Sequence, residues 1–142
     1  MMISTRGRYA LRVLIDLAEH KNGDYIPMKE VADRQDISLK YLERIMPLLK
    51  SANIVEGQHG KGGGYKLKGE PNEYRVGDVL RLTEGDLAPV ACLACGTGPC
   101  ERASSCRTLP MLEKFNALTN DFFNGITVAD LMKTCDSPDY VI

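Results

Sequence analysis

Four cysteines fall within fifteen residues of this chain, Cys92, Cys95, Cys100 and Cys106, in the run ACLACGTGPCERASSC. Ionised thiols are soft donors, and several crowded together in a reducing compartment are more often metal ligands than disulfide partners. By donor type they suit tetrahedral zinc and an iron–sulfur cluster equally. The spacing C-x2-C-x4-C-x5-C is neither that of a zinc finger nor that of a ferredoxin, so the metal stays open at this point, with redox-active or inert thiols as the other readings. Cys135 stands apart near the end of the chain and reads as an ordinary half-buried thiol.

A second group with chemical potential is GQHGKGGG, residues 57–64, which sets His59 and Lys61 among glycines. Glycine admits backbone conformations that other residues adopt only at a cost, and a tip without side chains can lie close to a phosphate backbone while His59 and Lys61 reach into a groove. A catalytic reading has less to stand on. Neither His20 nor His59 has a sequence neighbour that makes a nucleophile-and-base pair, and GKGGGY lacks the GK[ST] ending of a phosphate-binding loop and precedes a strand instead of a helix. The chain is therefore expected not to be an enzyme.

The elements that must carry these groups can be read from periodicity. Leu39, Leu42, Ile45, Met46 and Leu49 recur at three- and four-residue steps, which predicts a helix with one apolar stripe and Lys40, Tyr41, Glu43 and Arg44 facing out. Ser38 can cap its first turn. Pro47 lacks an amide proton and should kink or divide the segment, leaving the exposed reading part at 38–46. Ile54 and Val55 then pair with Tyr65 and Leu67 across a hairpin whose tip holds His59 and Lys61. Upstream, Ala10, Val13, Leu14, Leu17 and Ala18 predict an amphipathic helix over 6–20, ended by the turn at Asn22 and Gly23. Pro27 opens a shorter one over 28–34 with Val31 and Ala32 inward, and residues 35–37 make a tight turn. Helix, turn, helix and hairpin in this order form a winged helix-turn-helix, a fold that lays its second helix in the major groove of double-stranded DNA.

Charge points the same way. The formal net charge of the 142-residue chain is −1, yet residues 1–68 carry twelve Lys and Arg against eight Asp and Glu, whereas residues 69–142 carry six against eleven. The positive excess lies where phosphates would be, and its modest size calls for two copies or well-placed contacts. A polar helix face or a glycine turn alone is commonplace; it is their conjunction with this charge pattern that is informative.

With 44% hydrophobic residues the chain can bury one core. A short helix over 76–82 follows the turn residues Pro71 and Asn72, then an irregular stretch at 85–107 offers little to bury, which is long for a loop without a purpose. Met111, Leu112, Phe115, Leu118 and Phe122 give a helix of about four turns with an apolar seam, and Thr127 can cap a last helix over 128–133. The seam needs a partner surface, and a second copy of the chain is the economical one; folding back on its own domain is the other reading. The N-terminus shows no signal-peptide pattern and no segment approaches the roughly 20 apolar residues that span a bilayer, so a cytoplasmic protein without membrane contact is expected. The expected fold class is mainly α with a small β-hairpin. A winged helix-turn-helix domain spans 1–84, a cysteine-rich loop 85–107, and a dimerisation helix with a C-terminal tail 108–142.

RGRYAL, ISLKYLERI, GGGY, VGDV and three cysteines after position 90 together resemble the Rrf2 family of bacterial transcription regulators, particularly its branch that governs iron–sulfur cluster biogenesis, and the resemblance runs from Ile3 to about Leu131. It implies a homodimeric DNA-binding protein with a cluster in the cysteine loop, sensing iron, oxygen or nitric oxide. Carried over by position, it implies that Ser38, Lys40, Tyr41, Glu43 and Arg44 meet the major groove. His59, Lys61, Gly62, Gly63 and Gly64 would enter the minor groove, and Ser4 and Tyr9 touch phosphates. Cys92, Cys100 and Cys106 match the three family cysteines. Where the biogenesis branch has a histidine three residues after the last cysteine this chain has Leu109, and where the nitric-oxide-sensing branch has an acidic residue in the first helix it has Arg8. Cys95 is then the available fourth ligand, with a residue of the partner subunit or an open position as alternatives. A two-iron, two-sulfur cluster is favoured over a four-iron one. Structural zinc, or a cluster-free branch that controls cysteine metabolism through a protein partner, are the rivals.

Overall fold

The computed structural model describes residues 3–133. In order these form α1 (Thr5–Glu19), α2 (Met28–Gln35), α3 (Leu39–Ser51), β1 (Val55–Gln58), β2 (Gly64–Leu67), α4 (Val76–Glu84), α5 (Leu109–Asn124) and α6 (Val128–Met132), with single 3-10 turns at Pro71–Glu73 and Ala91–Leu93. Cys135 lies outside the described residues. The molecule is mainly α with one antiparallel hairpin, as the periodicity predicted.

Each of the first three helices is set by a local signal and fixed by a buried stripe. The Ser4 hydroxyl accepts from the Gly7 amide at the head of α1, and Ala10, Val13, Leu14, Leu17 and Ala18 are all buried. Asp36 ends α2 in the left-handed conformation with φ 53° and ψ 48°, an unfavoured place for most residues that Asp and Asn tolerate, and Ile37 then drops into the core. The Ser38 hydroxyl accepts from the Tyr41 amide at 3.1 Å to start α3.

Two details of α3 depart from expectation. The helix runs unbroken through Pro47 to Ser51, because Pro47 and Glu43 are exposed and the missing backbone bond falls on the water side. Buried Ile45 and Met46 before it, and Leu49 after it, hold both halves against the core. Leu39, counted in the apolar stripe, is 43% exposed. It sits in the first turn, at the rim of the face that packs inward.

The hairpin pairs Val55 with Leu67 and Gly57 with Tyr65. Tyr65 also exchanges two backbone hydrogen bonds of 2.9 Å with Ile26, so the wing is stitched to the segment between α1 and α2. Two-stranded ribbons are marginal alone, and this third strand-like contact steadies the wing.

Beyond the wing, Val76, Leu80 and Leu87 form a second buried cluster with Ile3, Leu11, Phe123, Ile126 and Leu131 packed on it. Leu87 is thus an anchor inside the stretch that looked to have little to bury. Thr127 and Asp130 make a reciprocal capping box that starts α6, and fully buried Val128 returns this last helix to the core against α1. α5 is held to α4 by Arg81, which donates to Asn120 at 2.6 Å and to Asn124 at 2.9 Å. Its other side is open: Met111, Phe115, Leu118 and Phe122 are 62%, 47%, 59% and 61% exposed. Among the described residues no helix is long and apolar enough to cross a membrane.

Asp16 is the single charged residue among the described ones that is fully buried. Arg34 clasps both its oxygens at 2.7 and 3.0 Å, and the Gln35 side chain donates to it at 2.9 Å. Burial by itself would raise its pKa. The hydrogen bonds from Arg34 and Gln35 and the nearby guanidinium charge outweigh that and hold it below the ordinary carboxylate value.

Candidate nucleic-acid interface and cysteine loop

With α3 docked through Leu42, Ile45, Met46 and Leu49, its opposite side presents Ser38, Lys40, Glu43 and Arg44 to solvent. Tyr41 is half-buried, its ring edge-on to Tyr9 with centroids 5.2 Å apart, and the Arg12 guanidinium lies 5.1 Å from the centre of the Tyr9 ring. Two residues expected to meet DNA from different helices are therefore in contact with each other. Where the head of α1 meets α3, Ser4, Thr5, Arg6, Tyr41 and Arg44 line an open cleft of about 360 Å³. Two guanidinium side chains beside a helix head make a place suited to phosphate oxygens.

Thr5 and Arg6 were not singled out from sequence, since nothing local ties them to Arg44. Ser4 is engaged inside the protein: its hydroxyl donates to Glu84 at 2.6 Å and its amide to the same oxygen at 3.1 Å. Glu84 is another residue the sequence did not flag, because its partner is at the far end of the winged domain's chain.

On the wing, His59 and Lys61 are exposed at the tip. The Gly63 amide donates to the Gly60 carbonyl at 3.0 Å to close the turn, and Gly62 has φ 79°. Gly64 has φ 151°, and a Cβ there would stand 2.1 Å from the Ile26 carbonyl oxygen, the atom that accepts from Tyr65. Glycine is required at this position because the wing and the α1–α2 connection meet backbone to backbone.

In the cysteine loop Cys92, Cys95 and Cys100 are exposed and Cys106 is half-buried, all four as free thiols. The Thr108 hydroxyl, 3.4 Å from the Cys106 sulfur, together with the amides of Thr108 and Leu109 at the head of α5, lowers the pKa of that thiol. Asp86 accepts from the Cys95 amide at 2.8 Å and from the Ala88 amide at 2.7 Å, and these backbone donors hold its carboxyl low. No sequence signal marked Asp86. Among the described residues no three of His, Cys, Asp and Glu are gathered as a metal site. In kind the four thiols fit a soft metal or cluster: they are free and at least partly accessible, Cys92 in the 3-10 turn Ala91–Leu93 and the other three on the stretch without helix or strand at 94–107. They would have to draw together to hold one.

Comparison with known proteins gives this arrangement a context. Residues 3–134 match the family model of Rrf2, described as an iron-dependent transcriptional regulator. The HTH-type transcriptional regulator IscR of Vibrio campbellii is 32% identical over 133 residues, covering 94% of this chain and 78% of the relative. IscR of Vibrio parahaemolyticus is 31% identical over 132 residues, with 93% and 77% covered. Among solved structures, CymR, the global cysteine regulator of B. subtilis, superimposes with a TM-score of 0.76 at 28% identity over 94% of this chain and 98% of its own. IscR of T. potens gives 0.74 at 27% identity over 100% and 93%. The oxidised form of Staphylococcus aureus CymR gives 0.72 at 28% identity over 100% and 99%.

Proposed function

The chain belongs to the Rrf2 family of transcriptional regulators, and from that premise we propose that it is a cytoplasmic homodimer. In this reading it recognises specific double-stranded DNA through α3 and the wing and responds to iron, oxygen or nitric oxide through an iron–sulfur cluster on residues 85–107. The observation that carries the DNA reading is the division of α3 into a docked stripe and an exposed face, with the wing tip free beside it. Lys40 and Arg44 supply charge, Glu43 supplies an acceptor that can discriminate among base edges, and Arg6 joins Arg44 at the cleft. His59 and Lys61, carried by the glycine tip, take the adjacent minor groove. The open seam of α5 takes the same helix of a second copy, so that two α3 helices face major grooves about 34–36 Å apart.

These roles separate experimentally. With a matched duplex enriched by the protein itself from a randomised library, and a scrambled duplex of equal length, Lys40→Ala will weaken both alike and reduce the salt slope by about one. Glu43→Ala will narrow the preference for the matched duplex by about tenfold while overall affinity changes less. Equal effects of both variants on the two duplexes would mean the face has been assigned wrongly.

For the loop, Cys92, Cys100 and Cys106, with Cys95 as fourth, are the residues that would hold a cluster, preferentially of the two-iron, two-sulfur type. A cluster would supply a bond network joining these sulfurs through iron, one that iron shortage, oxygen or nitric oxide can break. What the chain contributes is position: Cys106 lies three residues before α5, and Leu87 anchors the other end of the loop beside α4. Gathering the thiols would bias how α5, and with it the partner subunit, is held. Protein purified without air is expected to be coloured, to contain iron and sulfide, and to lose both colour and signal-dependent DNA binding on Cys100→Ser. A colourless, iron-free product with normal DNA binding would overturn this.

A second reading keeps the DNA-binding module without a cluster. It is favoured by the separated thiols, by Leu109 at the position of the biogenesis branch's histidine, and by the likeness to CymR. Stoichiometric zinc indifferent to redox state would make the loop structural. An unchanged DNA response in Cys100→Ser would favour signalling through a protein partner.

A further inference from the structure

We propose that Asp16, buried in α1 two turns beyond Tyr9, is a positioning residue that sets the angle at which the reading helix is presented and thereby its sequence preference. This rests on α3 being that helix. Arg34 and Gln35, the residues Asp16 grips, are the last of α2 before its end at Asp36, and α3 begins three residues beyond Asp36. Between the two helices the chain has only the left-handed Asp36, buried Ile37 and the capping Ser38, so the direction of α3 follows the placement of the last turn of α2.

A second α1 side chain completes the brace. Arg12 donates to the Gln35 carbonyl and, at 3.3 Å, to the Gln35 side-chain oxygen. It also stacks over Tyr9, whose ring meets Tyr41 of α3. α3 is thus referred to α1 twice, once through the end of α2 and once through the tyrosine pair.

The chemistry of the contact matters more than its strength. An ion pair whose carboxylate is buried is a poor source of stability, since desolvation offsets much of its attraction, and an apolar contact could join α1 to α2 as firmly. Apolar surfaces are non-directional and tolerate sliding. A carboxylate clasped by two nitrogens of a guanidinium and by a side-chain amide has one geometry. Base-edge contacts need that geometry, because a misaligned donor forfeits its bond, whereas phosphate contacts from flexible lysines and arginines tolerate small rotations.

The test measures affinity for the matched and the scrambled duplex in two variants. Asp16→Asn replaces one accepting oxygen with a donor. Arg34→Lys keeps the charge and loses the two-point clasp. The expected result is a matched-to-scrambled ratio reduced at least tenfold in Asp16→Asn and at least threefold in Arg34→Lys, with scrambled-duplex affinity within twofold of the unaltered protein and unchanged helix content by circular dichroism. Equal loss on both duplexes, or a ratio that does not move, would overturn the proposal, and if Asp16→Asn does not fold, Arg34→Lys decides by the same ratio. An unaltered protein that enriches no duplex would remove the DNA reading itself. An unaltered protein that does so, with variants that keep its preference, would remove only the role of Asp16.

Discussion

Replacing Phe115 and Leu118 together with glutamate will give a folded single subunit that binds the matched duplex at least about 100-fold more weakly. Both side chains are about half exposed or more in one subunit, so the changes leave no hole in its core. Glutamate is also a good helix former, and α5 will persist. What is lost is the seam: four large apolar side chains at helical spacing on one face, which two charges on each helix would turn into a like-charged surface. Joining two DNA-binding units makes the second contact intramolecular, and the gain is commonly about 100- to 10,000-fold. Sedimentation or light scattering should report a monomer with an unaltered circular dichroism spectrum, and titration should show the matched duplex bound with roughly half the salt slope. A variant that remains dimeric, or a monomer that binds as tightly, would show that α5 does not join the two reading heads.

The second large effect is expected at Gly64. Substitution by alanine places a Cβ 2.1 Å from the Ile26 carbonyl oxygen in a residue already at φ 151°, and that carbonyl cannot withdraw without breaking the bond from Tyr65. The backbone conformation alone costs about 1–3 kcal/mol for a residue with a side chain, and the contact adds to it. The wing should detach from the α1–α2 connection. Thermal unfolding should shift down by roughly 5 °C or more, and matched-duplex affinity should fall by about tenfold as His59 and Lys61 lose their placement. Gly62→Ala is the control. It also has a positive φ, 79°, but nothing lies within 4 Å of the added carbon, so its effect should be clearly smaller. Equal losses at the two positions would mean that the backbone contact with Ile26 does not organise the wing.

Much of the fold was legible because its signals are local. An apolar residue every third or fourth position marks α1 and α3, a capping serine marks the start of α3, and four glycines in five residues between short apolar runs mark the wing tip. Pro47 misled because its rule describes a helix in isolation. On the solvent face of a helix pinned at both ends, the missing bond is tolerated. Leu39 and Leu87 show the same limit in opposite directions: one apolar residue in a perfect stripe is open to water, and another in a featureless loop is anchored. Periodicity names the face that can be buried, and the reach of neighbouring elements decides where it ends.

The sequence by itself determined which residues form helices, where the hairpin turns, and that four thiols share one loop, since each of these depends on neighbours within a few positions along the chain. Only the tertiary structure decided that Glu84 engages Ser4, that Arg34 and Gln35 converge on Asp16, that Tyr9 meets Tyr41, and that the backbone at Ile26 excludes any side chain at Gly64. Such contacts join residues 18 to 80 positions apart. They leave no local periodicity, because hydrogen bonds and close backbone approaches are fixed by how helices pack on one another and not by the order of residues within any one of them.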